Sequence, residues 1–439
     1  MTAGAQLARR LGTTDAVVVG LGSMIGAGVF AAFAPAAAAA GSGLLIGLAL
    51  AAAVAYCNAV ASAQLAARYP ASGGTYVYGR ERLGEWWGFV AGFGFVVGKT
   101  ASCAAMALTF AAYAVPGPGW ARRLVALAAV AALTAANYRG ISRTAALSRL
   151  LVAGSLLALA IVVVAIVTGG HADAGRLSGL GSGGVRGTLQ AAGLLFFAFA
   201  GYARIATLGE EVREPAKTIP RAIPLALAIV VCVYLAVALA ALSAAGPHAL
   251  AVATAPLATA VRAAGAAWAQ PVVRVGAAVA SLGSLLALIA GVGRTTLAMA
   301  RNGDLPRRLD SVHPRYRVPD RAELAVAVVV SVLVLTTDLR GAIGFSSFGV
   351  LVYYAIANAA AYTQPAADRR WPRWLNIAGL LGCAVLAVTL PPASVLAGAG
   401  VFAVGVAGRA VKLRRGARRQ DRRSDAQPQS DASGSARST

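Results

Sequence analysis

Apolar residues fill runs of about 17 to 30 positions instead of alternating with polar ones, and short arginine-bearing segments separate the runs. The runs lie near 15–39, 43–67, 86–115, 120–138, 146–168, 187–209, 221–245, 270–300, 322–338, 342–363, 374–389 and 393–410. A helix that is apolar all round has no water-facing side, and one of this length matches the hydrocarbon thickness of a bilayer. The pattern predicts an all-α polytopic membrane protein with about twelve transmembrane helices. The last two are short because Pro391-Pro392 stands between them.

Composition agrees. Hydrophobic residues make up 58% of the chain and charged ones 13%, and the mean hydropathy is +0.70, which excludes a soluble domain of this size. With the N-terminus inside, 29 of the 39 Lys and Arg residues fall on the cytoplasmic side, so the positive-inside rule puts both termini in the cytoplasm. The six tryptophans, Trp86, Trp87, Trp120, Trp268, Trp371 and Trp374, lie at predicted helix ends, where amphipathic rings anchor at the headgroups. The net charge of +23 is spread over short loops, which argues for topology and against nucleic-acid binding. Cys57, Cys103, Cys232 and Cys383 each sit in a separate run without metal-ligand spacing, so packing is their expected role, and neither metal nor cofactor is expected. The first run is too long for a cleavable signal peptide. The expected location is the plasma membrane of a bacterial cell, with the lipid bilayer as solvent and no nucleic-acid partner. The expected division is a cytoplasmic N-terminus over 1–14, five-helix segments over 15–168 and 187–363, two further helices over 374–410, and a disordered basic and polar cytoplasmic tail over 411–439.

The first run contains Gly20, Gly22, Ser23, Gly26 and Gly28 at what should be mid-membrane depth. Glycine at this density weakens a helix. Unwound backbone there is tolerated only where it lines a cavity or is buried in protein, and its freed amides suit a carboxylate. Close packing of a neighbouring helix against small residues explains the same composition equally well. The sixth run, with Phe196, Phe197, Phe199, Ala200 and Gly201, is its counterpart if 15–168 and 187–363 are repeats of one five-helix unit, because each then opens on a Gly-interrupted segment.

These segments, together with Tyr69 to Tyr78, Ala206 to Val212, Thr218 to Ile223 and Ala298 to Pro306, resemble the amino acid permeases of the amino acid, polyamine and organocation superfamily. The resemblance runs in order through the first ten predicted helices. It implies a five-plus-five inverted-repeat core with discontinuous helices 1 and 6, alternating access, and substrate held between those helices with help from helices 3, 8 and 10. It implies a substrate site at Ser23, Met24, Ile25, Gly26, Ala27, Gly28, Lys99, Phe197, Ala200, Gly201 and Leu288. Within that site the amides of Ala27 and Gly28 would take the substrate carboxylate, carbonyls near Met24 and Ala200 its ammonium, and Phe197 would close over it. The chain departs from the arginine/agmatine antiporters of the superfamily in having Ala203 where they carry a carboxylate and Leu288 where they carry an aromatic ring. A cationic substrate thereby loses its obvious partners.

Lys99 lies in Gly94-Phe95-Val96-Val97-Gly98-Lys99-Thr100-Ala101 and is one of only three lysines, against 36 arginines. Lysine can release its proton when buried and arginine effectively cannot. None of the sixteen carboxylates falls mid-span, so Lys99 has no protein counter-ion at its depth and is the candidate for proton coupling. Capping exposed carbonyls of the broken helices is its alternative role. Arg204, Glu210, Glu211 and Arg294 are candidates for a cytoplasmic gate. Without an acid at the midplane, protons are the expected coupling ion in preference to sodium.

The expectation is a secondary active amino acid transporter, a proton-coupled importer of neutral or acidic amino acids, with an amino acid or polyamine exchanger as the alternative. A membrane enzyme is disfavoured because His171, His248 and His313 are far apart in loops, and a channel because glycine and alanine pack helices tightly.

Overall fold

Helices follow the apolar runs, and their ends follow the glycines and prolines. The computed structural model describes residues 11–70, 73–140, 145–209 and 211–424, with backbone alone for 145–148 and 415–424. In chain order the helices are α1 (Thr13–Met24), α2 (Ala27–Ala31), α3 (Phe33–Ala40), α4 (Leu44–Arg68), α5 (Thr75–Leu83), α6 (Glu85–Ala114), α7 (Gly119–Tyr138), α8 (Ala145–Thr168), α9 (Gly184–Phe199), α10 (Ala203–Ala206), α11 (Pro215–Val252), α12 (Pro256–Ala263), α13 (Gln270–Arg301), α14 (Asp320–Thr336), α15 (Leu339–Tyr362), α16 (Arg373–Thr389) and α17 (Pro392–Ser424). There is no strand among the described residues, where the one β-like feature is a parallel bridge between Leu11 and Val212.

Among the described residues, nine helical segments are long and apolar enough to cross a membrane. The expected spans near 187–209, 322–338 and 374–389 are helical too, as helices of 16, 17 and 17 residues. The chain is a multi-pass membrane protein. Two helices outside the predicted runs stand out: α5, which follows Gly73 and Gly74 and ends at Gly84, and α12, which opens on Pro256. The chain divides into two units, 1–398 and 399–439. In the second unit α17 continues as helix through Ser424, so the expected disorder does not begin at 411; alanine, leucine, lysine and arginine, which are good helix formers, populate that stretch. The rest of the tail, 425–439, lies outside the described residues, as do 1–10 of the expected N-terminal segment.

Inside the first unit, close approach of backbones sets the helix positions. The first and sixth apolar segments run antiparallel and touch at small residues. A Cβ built on Gly20 would stand 2.3 Å from Ile205, one on Gly201 would stand 2.3 Å from the Ser23 carbonyl oxygen, and one on Gly28 would stand 2.6 Å from Ala198 Cα. Helices α6 and α15 close on each other in the same way, with a Cβ on Gly98 landing 3.1 Å from Ser346 O and one on Gly349 landing 2.9 Å from Gly94 O. The Ser102 and Ser346 hydroxyls join them at 2.7 Å.

Helix α11 shows how a broken ladder is repaired. Gly246 takes φ 72°, and Pro247 cannot donate to the carbonyl of Ser243 four residues back. That carbonyl instead accepts from the Asp173 amide at 2.9 Å and from Arg176 at 3.3 Å, while Arg176 also donates to Ala244 O. Of the tryptophans, Trp86, Trp87, Trp120, Trp268 and Trp374 are exposed, in keeping with anchoring at an interface. Cys57, Cys103 and Cys383 are buried, whereas Cys232 is exposed on α11 and packs no core.

The contact at Gly201 yields a test. Gly201→Ala must push backbone away from backbone and should cost about 1 to 3 kcal/mol, the range for overpacking. Gly154→Ala, in α8 with nothing within 4 Å of its new Cβ, should instead stabilise by about 0.5 to 1 kcal/mol. Thermal unfolding of both variants in one detergent checks the sign of each. Equal melting points would refute the tight contact.

Candidate functional site

Helix α1 stops at Met24 because Ile25 (φ −81°, ψ 65°) and Gly26 (φ −119°, ψ −139°) leave helical backbone. Gly26 lies where a Cβ would stand 2.3 Å from Ser284 Oγ of α13. The helix resumes at Ala27, and Ala32 keeps helical angles between α2 and α3, so the two run on as one. The amides of Ala27 and Gly28 therefore belong to a first helical turn, which has no carbonyl behind it to accept them. On the partner segment α9 ends at Phe199, a turn spans Ala200 to Tyr202, and α10 takes over. Both breaks meet where Gly201 lies against the Ser23 carbonyl.

The carbonyls set free at the breaks are taken up by side chains from three other helices. Tyr234 of α11 reaches Met24 O at 2.6 Å and Ala198 O at 3.0 Å with its hydroxyl. Lys99 of α6 donates its Nζ to Ala200 O at 3.0 Å, and Tyr354 of α15 donates to the same oxygen at 3.3 Å. Lys99 is only 7% exposed. Tyr202, from the turn, stacks on Tyr354 with ring centroids 4.9 Å apart, and Phe196 meets Tyr354 edge-on at 5.8 Å.

Met24, Ile25, Gly26, Ala27, Gly28, Phe197 and Ala200 are buried, and Ser23 and Gly201 are half-buried. Ser23 Oγ turns back to Val19 O at 2.9 Å. Leu288 is partly buried against a cluster that includes Ala27, Cys103, Ala104 and Met106. Behind the first break lies a cavity of about 10 Å³, large enough for one water, with Gly22, Ile25, Ser155, Ala280 and Ser284 among its lining. Ser284 Oγ reaches Gly22 O at 3.4 Å.

At the gate candidates the picture is looser. Arg204 places a guanidinium nitrogen 3.4 Å from Thr207 Oγ1, and its charged neighbours are Arg294 and Glu211. Among the described residues neither arginine forms an ion pair with Glu211, and Glu210 lies outside them. The well-formed contacts at this end come from α5. Tyr78 donates to Ala206 O of α10 at 3.3 Å, and Tyr76 donates to Asp304 at 2.7 Å beside an Arg80–Asp304 ion pair at 3.3 Å. Burial, and then the Asp304 carboxylate, push the Tyr76 phenol above its usual pKa. Sequence reasoning missed these tyrosines together with Tyr234 and Tyr354. For Tyr234 and Tyr354 the available signal was a hydroxyl inside an apolar run, which must find a partner when buried.

The comparisons with known proteins bear on this arrangement. The model of a family described as amino acid permease matches residues 11–404. An uncharacterised transporter of Mycobacterium tuberculosis is 64% identical over 418 residues, covering 95% of this chain and 94% of the relative. The branched-chain amino acid permease BcaP of Bacillus subtilis is 28% identical over 71% of each chain. The chloroplastic cationic amino acid transporter 7 of Arabidopsis thaliana is 29% identical over 84% of this chain and 68% of its own.

Removing the Tyr234 hydroxyl isolates one repair at the breaks. Tyr234→Phe takes the hydroxyl donor from the buried Ala198 carbonyl and leaves Met24 O with the Gly26 amide alone, and should destabilise by about 1 to 3 kcal/mol. Tyr56→Phe, at an exposed position of α4, should change nothing. A melting temperature for Tyr234→Phe equal to that of wild type would remove Tyr234 from the support of the site.

Proposed function

Because the chain belongs to the amino acid permease family, we propose that it is a secondary active transporter that imports neutral or acidic amino acids together with protons by alternating access. The observation that carries this reading is the meeting of two helix breaks with a lysine on one of the freed carbonyls and, among the described residues, no carboxylate paired with it. In this reading 15–168 and 187–363 are inverted repeats, both termini are cytoplasmic, and the breaks are the substrate site at the repeat interface.

A zwitterionic substrate would set its carboxylate on the amides of Ala27 and Gly28 and its ammonium on the Ala200 carbonyl. Lys99 holds that carbonyl in this structure, so it must give it up as substrate arrives and turn toward the carboxylate. Desolvation favours the neutral amine and an anion favours the charged one, so arrival of substrate and uptake of a proton would go together. Phe197 would close the site, and Arg204, Glu211 and Arg294 would take part in opening its cytoplasmic side. Ala203 and Leu288 offer no anion or ring to a guanidinium or a second ammonium. The printed name of the Bacillus relative, a branched-chain permease, supports a neutral substrate, and the identity to a mycobacterial transporter supports a bacterial origin.

The test is uptake of labelled leucine, glutamate and arginine into proteoliposomes, with and without an inward proton gradient. Gradient-driven accumulation of leucine or glutamate, with arginine excluded, is the expected result. Accumulation of arginine alone, or exchange indifferent to the gradient, overturns the importer reading in favour of an exchanger. Lys99→Arg and Lys99→Ala should both lose accumulation, by roughly tenfold or more, because arginine keeps the charge but cannot release the proton. Normal gradient-driven uptake by Lys99→Arg would make Lys99 a fixed carbonyl cap. A small test of the site itself is Gly28→Leu, which should abolish uptake by filling the space against Ala198.

A further inference from the structure

Glu323 lies near the start of α14 and is 2% exposed. Its Oε2 atom is buried without a hydrogen-bond partner among the described residues. The side chain lies against α13 at Gly293, where a Cβ would stand 2.6 Å from Glu323 Cγ. Thr296, three residues further along that face of α13, also has a buried hydroxyl without a partner. A carboxylate left charged in such a place carries a heavy desolvation cost, and the group escapes it by keeping its proton.

The charges that act on Glu323 are Arg294, adjacent to Gly293 on α13, and Asp320 on its own helix. Helices α6 and α7 and the turn Arg307–Leu309 also pack on α14, but the charges that act on Glu323 do not include Glu85, Lys99, Arg122, Arg123, Arg307 or Arg308 on them, nor His313 in the preceding loop. Arg294 is exposed and forms no ion pair among the described residues. It is also the like-charged neighbour of Arg204 on α10.

We propose that Glu323 is a proton-binding site that sets, through Arg294, how firmly α10 is held in place. At the acid end of the pH range it is a carboxylic acid. When its O–H bond breaks, the proton passes to water on the side of the 301–321 loop, the charge stays on the carboxylate, and Arg294 becomes its counter-ion. Arg294 then repels Arg204 less, so loss of the proton firms the α10 side and gain of the proton loosens it. The inference goes beyond the proposed function and its test needs no substrate, so the two can fail separately.

The experiment uses the full-length protein in lipid, titrated from about pH 4 to 9, a range that spans ordinary and strongly raised glutamate pKa values. Difference infrared spectra should show a protonated-carboxyl stretch that disappears as pH rises and is missing from Glu323→Gln. Amide hydrogen exchange of 203–213, corrected for its intrinsic pH dependence, should slow at high pH in wild type and lose that dependence in Glu323→Gln. A band that survives in Glu323→Gln, or an exchange profile that still follows pH as in wild type, overturns the proposal. Should Glu323→Gln fail to fold, Glu323→Asp keeps a carboxyl and should move the midpoint of the band; an unmoved midpoint overturns the proposal as well.

Discussion

A backbone carbonyl released from its helix inside a membrane has no water to turn to, and the arrangement of this protein is organised around that fact. Two helices break at facing positions, Ile25–Gly26 and Ala200–Tyr202, and each break frees carbonyl groups that must find donors. The donors come from elsewhere in the bundle: Tyr234 from α11, Lys99 from α6 and Tyr354 from α15. Three helices distant in sequence are thereby fixed against the same few atoms. The glycines that allow the breaks to touch, Gly28 and Gly201, belong to the same requirement, because a side chain at either would separate the carbonyls from their partners.

The choice of lysine at position 99 follows from the same constraint. A neutral donor such as tyrosine would satisfy Ala200 O, and Tyr354 does so in part. Lysine adds a removable charge in a place where charge is costly, and such a group persists in a membrane protein where its ionisation is used. The close packing of α6 on α15 through Gly94, Gly98 and Gly349 fixes the helix that carries it. Glu323 is the converse case: a carboxyl without a donor for Oε2 among the described residues, beside a cation, Arg294, that is exposed.

Much of this was legible in the sequence, and what was not has physical causes. Long apolar runs announce helices because lipid leaves the backbone no alternative, and a run holding Gly20, Gly22, Gly26 and Gly28 announces a weak point. Helix α5 was not legible as a helix, because its residues are polar and its boundaries are glycines in left-handed conformations. The candidate site residues Met24, Gly28, Lys99 and Ala200 do come together; sequence assigned the Met24 and Ala200 carbonyls to substrate and offered carbonyl capping only as an alternative for Lys99, which does hold Ala200 O, and it did not see Tyr234 on Met24 O. Which buried hydroxyl meets which carbonyl depends on contacts such as Tyr234–Met24 and Tyr354–Ala200, more than a hundred residues apart, and no local pattern encodes them. Glu323 escaped notice for a similar reason: its position near a helix start suggests exposure, and only the packing of Gly293 against it produces burial.

Carbonyls that are already satisfied change what substrate binding means in the proposed reading. A site with free acceptors would capture an ammonium strongly and release it slowly. Here the incoming ammonium replaces one already on Ala200 O, so the gain is a difference between two similar hydrogen bonds. A ligand shifts a conformational equilibrium only by its differential affinity for the two states. A carrier must release on one side what it bound on the other, and a near-balanced exchange of donors keeps the bound state from becoming a trap. The directional component must then come from a group whose own occupancy differs between the two sides. A lysine or a buried carboxyl that exchanges protons with one aqueous phase at a time has that property, whereas a tyrosine hydroxyl at the same carbonyl does not.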